Sequence, residues 1–173
     1  MAIDVLPWLE YRWSFDFPVG MYRPILERLR GTPDRVAAIV DGRTTAALTA
    51  RGGSPWSAQE HLGHLIQVEQ LWETRISEFL AGASHLTAAD MTNRATEGAD
   101  HNRAPVEEIV ARFRAVRTGT LARLDPLTLD DAARVAHHPR LDRAMRLVDL
   151  CFFAAEHDDH HLAMSRALLA GEE

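Results

Sequence analysis

Apolar residues along this chain recur mostly at steps of three and four, the spacing that gathers them on one face of a helix. A first helix is expected from about Val19 to Arg30. There Gly31, Thr32 and Pro33 interrupt the pattern, with Thr32 as the N-cap and Pro33 in the first turn of a second piece. Gly52, Gly53, Ser54 and Pro55 make a clear break. Ser57 and Glu60 then have the spacing of a capping box, and the helix they start should reach about Ala81, ahead of Gly82. Another should run from about Pro105 to Leu124, burying Val106, Ile109, Val110, Phe113 and Val116. The last is expected from about Asp142 to Leu169, with Gly171 placed to stop it. Four principal helices predict an all-α four-helix bundle.

Residues 82–104 separate the second and third of these helices, far more than the roughly 2–8 residues of a direct bundle turn. A crossover running the length of the bundle accounts for that length. Within it, Thr-Ala-Ala-Asp-Met-Thr-Asn-Arg, residues 87–94, offers a short extra helix as the alternative.

With 173 residues the chain is long enough for one domain with a sizeable core and short for two, so residues 1–173 are read as one unit. Its net charge of −6, with no dense run of Lys and Arg, disfavours nucleic acid as a partner. No apolar run approaches the roughly 20 residues of a membrane span. The opening MAIDVLPWLE carries acids where a signal peptide carries bases, so a cytoplasmic location is expected. The single cysteine, Cys151, sits in an apolar run and is expected to be a packed core thiol.

The nine histidines are the unusual feature of the composition. Leu147, Cys151, Ala154, His157, His161, Met164 and Leu168 form one core-facing stripe of the last helix, so two histidines occupy core positions one turn apart. Two imidazoles so placed can reach one ion at about 2.0–2.1 Å. Glu156, Asp158 and Asp159 flank them and are expected to take the second ring protons, with a solvated face as the plainer alternative. A third ligand must come from another helix, and the second long helix offers His61 and His64. Periodicity slightly favours His61, which shares a stripe with Leu65, Val68, Trp72 and Phe79, and leaves the choice open.

Depth along the helices bears on topology. At 1.5 Å per residue, His64 lies about 10 Å inside its helix start, while His157 and His161 lie about 25 Å beyond theirs and about 15 Å from the far end. Antiparallel packing levels the two sites and parallel packing separates them. The long connection is therefore read as the crossover of an up-down-down-up order.

Several segments together carry a family resemblance: ERLRGTPDRV, PWSAQEHLGHL, the ADMTN stretch, FRAVR, and HHPRLDRAMRLVDLCFFAAEHDDHHLA. In this ordered set the chain resembles the DinB/YfiT-like superfamily of damage-inducible, metal-binding four-helix bundles over nearly its whole length. The resemblance implies one metal-binding histidine in the HL dipeptide after the WSxxE helix start and two more as HxxxH on the last helix. Those positions here are His64, His157 and His161. The resemblance thus overrules the periodicity that favoured His61, which becomes a supporting or core residue, and it implies the same up-down-down-up order.

Other metal chemistries fit less well. EHDDHH lacks the glutamate of HExxH, which argues against a zincin protease. Only Asp158 with His161 approaches a di-iron carboxylate pattern. His137 and His138, before Pro139, are expected in a loop, and His85 and His101 in the crossover, all as surface groups. Trp8, Trp13, Phe15 and Phe17 should pack as a flap over the bundle, a substrate wall being the alternative. Arg114 and Arg117 are either anion clamps facing the site or ordinary helix-surface charge.

Three imidazoles leave coordination positions open, the pattern of a catalytic metal site. The resemblance implies a thiol S-transferase type of enzyme, in which a divalent metal activates a low-molecular-weight thiol against an electrophile. The alternatives are a hydrolase using metal-activated water and a non-catalytic, metal-stabilised stress protein. Zinc and nickel lead the candidate ions, followed by iron, cobalt and manganese. A small-molecule substrate is the expected partner, and a homodimer through an exposed helix face is compatible with such bundles.

Overall fold

The computed structural model describes residues 5–171. Residues 1–4, which carry part of the N-terminal charge reading, lie outside the described residues. The helices are α1 (Tyr22–Val40), α2 (Thr45–Thr49), α3 (Ala58–Leu80), α4 (Arg94–Gly98), α5 (Val106–Leu124), α6 (Leu129–Ala132) and α7 (Leu147–Ala170). Strands β1 (Val135–His138) and β2 (Arg143–Arg146) form an antiparallel hairpin just before α7, with Val135 opposite Arg146. None of the described helices is long and apolar enough to cross a membrane.

The long helices α1, α3, α5 and α7 form the bundle, and side-chain pairings fix their directions. Trp72 meets Phe153 while His61 meets His161, so α3 and α7 are antiparallel. Glu69 meets Arg117 and Ser77 meets Arg123, so α3 and α5 are parallel. Tyr22 bonds to Leu124, and Asp34 further along α1 bonds to Arg114 earlier in α5, so these two are antiparallel. The order is up-down-down-up, and residues 81–105 carry the chain back the length of the bundle between two parallel helices. The crossover contains α4, which starts at the last residue of the 87–94 stretch rather than filling it, and its early part pairs with the hairpin through Leu86 N to His137 O, 2.9 Å.

The capping box that starts α3 is formed: Ser57 N donates to Glu60 Oε2 at 2.8 Å and Glu60 N donates to Ser57 Oγ at 3.1 Å. Gly82, at φ +72°, follows its end. Two expected boundaries are corrected. Gly31, Thr32 and Pro33 do not divide the first helix, because α1 runs through them. Proline leaves the carbonyl of residue 29 without its helical partner. Arg117 Nη1 donates to that carbonyl at 3.1 Å, so the continuous helix keeps its buried oxygen satisfied. The last helix starts at Leu147 rather than about Asp142, because residues 143–146 are held in the hairpin. Arg146 N is bound to Asp149 Oδ2 at 2.8 Å, which fixes the new start.

Two apolar clusters fill the bundle. One contains Tyr22, Leu26, Ile76, Phe79 and Phe153, and the other Val36, Leu62, Leu65, Phe113 and Leu162. Between them on every long helix lies a buried polar layer: Thr32, Glu69, Arg117 with Thr120, and His157, Asp158 and His161. The candidate site belongs to this layer.

Candidate metal centre

α3 and α7 run antiparallel, so the start of one and the late part of the other come level. That places His64 against His157 and His161, with ring centroids 5.2 and 4.6 Å away. One ring nitrogen from each of the three lies within 4.8 Å of the others. His157 Nε2 and His161 Nε2 are 3.2 Å apart. Two nitrogens each about 2.0–2.1 Å from one ion at a tetrahedral angle stand about 3.3 Å apart, so this pair already has the separation of two ligands.

The other ring nitrogens have partners that suit such an ion. His64 Nδ1 is 2.8 Å from Thr96 Oγ1, and His161 Nδ1 is 2.9 Å from His61 Nδ1. With Nε2 of each triad histidine turned to an ion, every Nδ1 carries a proton, which Thr96 and His61 accept. His157 Nδ1 has no polar partner among the described residues, and the Trp8 and Trp72 rings flank it edge-on. Burial, reinforced by the neighbouring histidines, holds all of these imidazoles neutral. His61 and His64 are pushed down to about 4, and His157 and His161 fall well below 6.5. Neutral imidazole is the ligating form, so the donor set fits a divalent cation.

The site opens on a cavity of about 620 Å3 whose walls include Trp8, Trp56, Trp72, Phe153 and His160. Of the aromatic N-terminal segment, Trp8 is thus part of this wall, while Trp13 and Phe15 pack on the bundle. His160 Nδ1 is 3.4 Å from Tyr11 Oη.

The structure brings His64, His157 and His161 together and puts His61 behind His161, on the ring edge away from His157. The flanking acids do not serve the histidines. Glu156 and Asp159 pair with Arg28 at 2.7 and 2.5 Å, Asp159 also pairs with Arg35, and Asp158 is buried against Arg117 and Thr32. Arg117 is therefore neither an anion clamp nor surface charge, while Arg114 pairs with Asp34 on the surface.

Two other histidines depart from the surface reading. His101 is buried, its Nε2 2.9 Å from Gln67 Oε1 and its ring lying where a Cβ on Gly63 would be. Gly63 thus lets the crossover close onto α3 beside His64 and bring Thr96 to it. A glycine inside a strong helix, between two histidines, was the available sequence signal for that approach. His138 is also buried, in β1, next to Arg75.

Residues 28–165 match the family model of the DinB superfamily. YfiT from Bacillus subtilis, described as a probable metal-dependent hydrolase with an unusual four-helix bundle topology, is structurally similar. Its TM-score is 0.80 at 20% sequence identity, over 94% of this chain and 94% of that one. No curated protein matches the sequence.

Proposed function

The chain belongs to the DinB superfamily, and on that premise we propose that it is a metal-dependent transferase of low-molecular-weight thiols. His64, His157 and His161 would hold a divalent ion, which would lower the pKa of a thiol in the same cavity; the thiol would give its proton to water and its sulfur would displace the leaving group of an electrophile. The observation that carries this reading is a ligand-ready triad on the wall of a roomy cavity whose described lining holds no cysteine and a single carboxylate. Cys151 is buried outside the cavity, its thiol pushed up to about 12 by that burial. Asp90 is the single carboxylate among the described lining residues, and its bonds to Thr92 hold it below the usual carboxylate range.

A bound divalent ion supplies Lewis acidity, which lowers the pKa of a thiol or a water molecule. The protein does the rest. Thr96 and His61 fix the tautomer and tilt of two of the imidazoles. Trp8, Trp72 and Phe153 give an apolar wall that strengthens polar interactions inside the cavity by excluding water. A cavity of this volume falls in the range that holds drug-sized ligands, about 300–1,000 Å3.

Hydrolysis by activated water is the second reading, supported by the description of YfiT. Both are tested together. Protein loaded with zinc or nickel is incubated with glutathione, bacillithiol or mycothiol and monochlorobimane, and separately with a panel of esters, amides and phosphoesters. The transferase reading expects thiol conjugation above the free-metal rate, abolished by His64→Ala. Turnover confined to the hydrolytic panel would replace it with the second reading.

A further inference from the structure

The end of the cavity away from His64 is bounded by Arg75, His138 and Arg140, and no carboxylate among the described residues forms an ion pair with either arginine there. Arg75 is only 1% exposed, yet it meets no carboxylate among the described residues. Its Nε and Nη2 donate to the Thr87 carbonyl at 3.0 and 2.8 Å, and Nη1 is 3.0 Å from His138 Nε2. Glu78, whose charge acts on Arg75 from further away, accepts hydrogen bonds from the Thr87 N–H and hydroxyl. Arg140 lies over the rings of Trp8 and Phe153, 5.8 and 5.4 Å from their centroids, and its buried Nη2 has no hydrogen-bond partner among the described residues. His138 is held neutral, pushed down to about 4 by burial and the two guanidiniums, so it cancels none of this charge.

Arg117, equally buried, is matched by two carboxylates. A buried cation such as Arg75 without a paired carboxylate is costly, and with half-buried Arg140 beside it in one cavity wall the pair is placed to take an anion. Trp8 touches both Arg140 and His157, so the charged end and the histidine triad are joined by one aromatic wall.

We propose that Arg75 and Arg140 form an anion subsite, which binds the carboxylate or phosphate of a substrate whose apolar body lies along Trp8, Trp72 and Phe153 toward the triad. The Arg140 guanidinium matches both oxyanions with donors the described residues leave unused, Arg75 adds its charge behind it, and in a dry pocket the match is stronger than in water. The inference extends the proposed function by naming its substrate class, an organic anion. It rests on that reading only for what happens at the metal end.

Titration calorimetry on the full chain tests it, with 3-phenylpropionate, phenyl phosphate and the neutral 3-phenylpropanamide as probes and metal content measured on every sample. The wild type should bind at least one of the anions about tenfold or more tighter than the amide, and the tighter anion identifies the group recognised. Arg140→Gln, at a half-buried position with no hydrogen bond to lose among the described residues, should remove that preference without changing metal content. His64→Ala should release the metal and keep the preference. Equal binding of anions and amide by the wild type, or an undiminished preference in Arg140→Gln, would overturn the subsite. So would loss of the preference together with the metal in His64→Ala, because the anion would then have been sitting on the ion. A full equivalent of metal in His64→Ala would instead sink the metal-site reading while leaving the anion result in force.

Discussion

Adjacent residues of α7 serve two buried polar clusters that solve opposite problems. Asp158 faces Arg117, whose guanidinium reaches Asp158 at 2.6 and 3.0 Å, Glu69 at 2.9 and 2.6 Å and the Leu29 carbonyl at 3.1 Å. Thr120 and Thr32 donate to the same carboxylates, so the donors and acceptors of this group are used up inside the bundle. His157, one residue earlier, and His161 turn toward His64 and the cavity with ring nitrogens that no side chain of opposite charge completes. A saturated buried network fixes helix register. An unsaturated one of neutral donors is a binding site.

The largest effect that tests this contrast is on the saturated side. Arg117→Met leaves Asp158 and Glu69 buried without a cation and frees the Leu29 carbonyl, so denaturant unfolding should show a loss of about 3–5 kcal/mol. A change below about 1 kcal/mol would mean that the network is not what ties α1, α3, α5 and α7 together.

Acid sensitivity should come from the other cluster. In metal-free protein burial pushes His61 and His64 down to about 4 and His157 and His161 well below their ordinary value, against about 6.5 in an unfolded chain. Between those values the unfolded chain binds protons that the folded chain does not. Stability should therefore fall as pH drops from about 6.5 toward 4, by up to about 1.4 kcal/mol per pH unit for each histidine. A flat stability profile over that window would show that the imidazoles are not held neutral by burial.

A smaller effect is expected one step out from the triad. Thr96→Val keeps the shape of the side chain and removes the acceptor for the His64 Nδ1 proton. Metal affinity should drop about 10–100-fold, read by competition with a chelator, while stoichiometry stays the same. Unchanged affinity would make Thr96 a packing residue only.

Much of this was legible in the sequence where the determinants are local. The Ser57–Glu60 box and Gly82 bracket α3, and the i,i+4 spacing of His157 and His161 places both rings on one face whatever the rest of the chain does. The misread features depend on partners far away in the chain. Pro33 reads as a break until Arg117 is seen to take its orphaned carbonyl, and Glu156 and Asp159 read as histidine partners until Arg28 and Arg35 on α1 claim them. The hairpin before α7 consists of two four-residue strands, too short for periodicity to register. His101 and His138 follow the usual surface preference of histidine only until Gly63 and Arg75 give them buried places.

The most direct test of the triad is metal stoichiometry by elemental analysis on untagged wild type, His64→Ala and His61→Ala, each checked for folding by circular dichroism. With His64, His157 and His161 as the ligands, the wild type and His61→Ala should each carry about one equivalent of a divalent ion, and His64→Ala almost none, since two imidazoles from one helix cannot enclose it. A full equivalent in folded His64→Ala beside an empty His61→Ala would contradict the account and move the third ligand one turn back along α3.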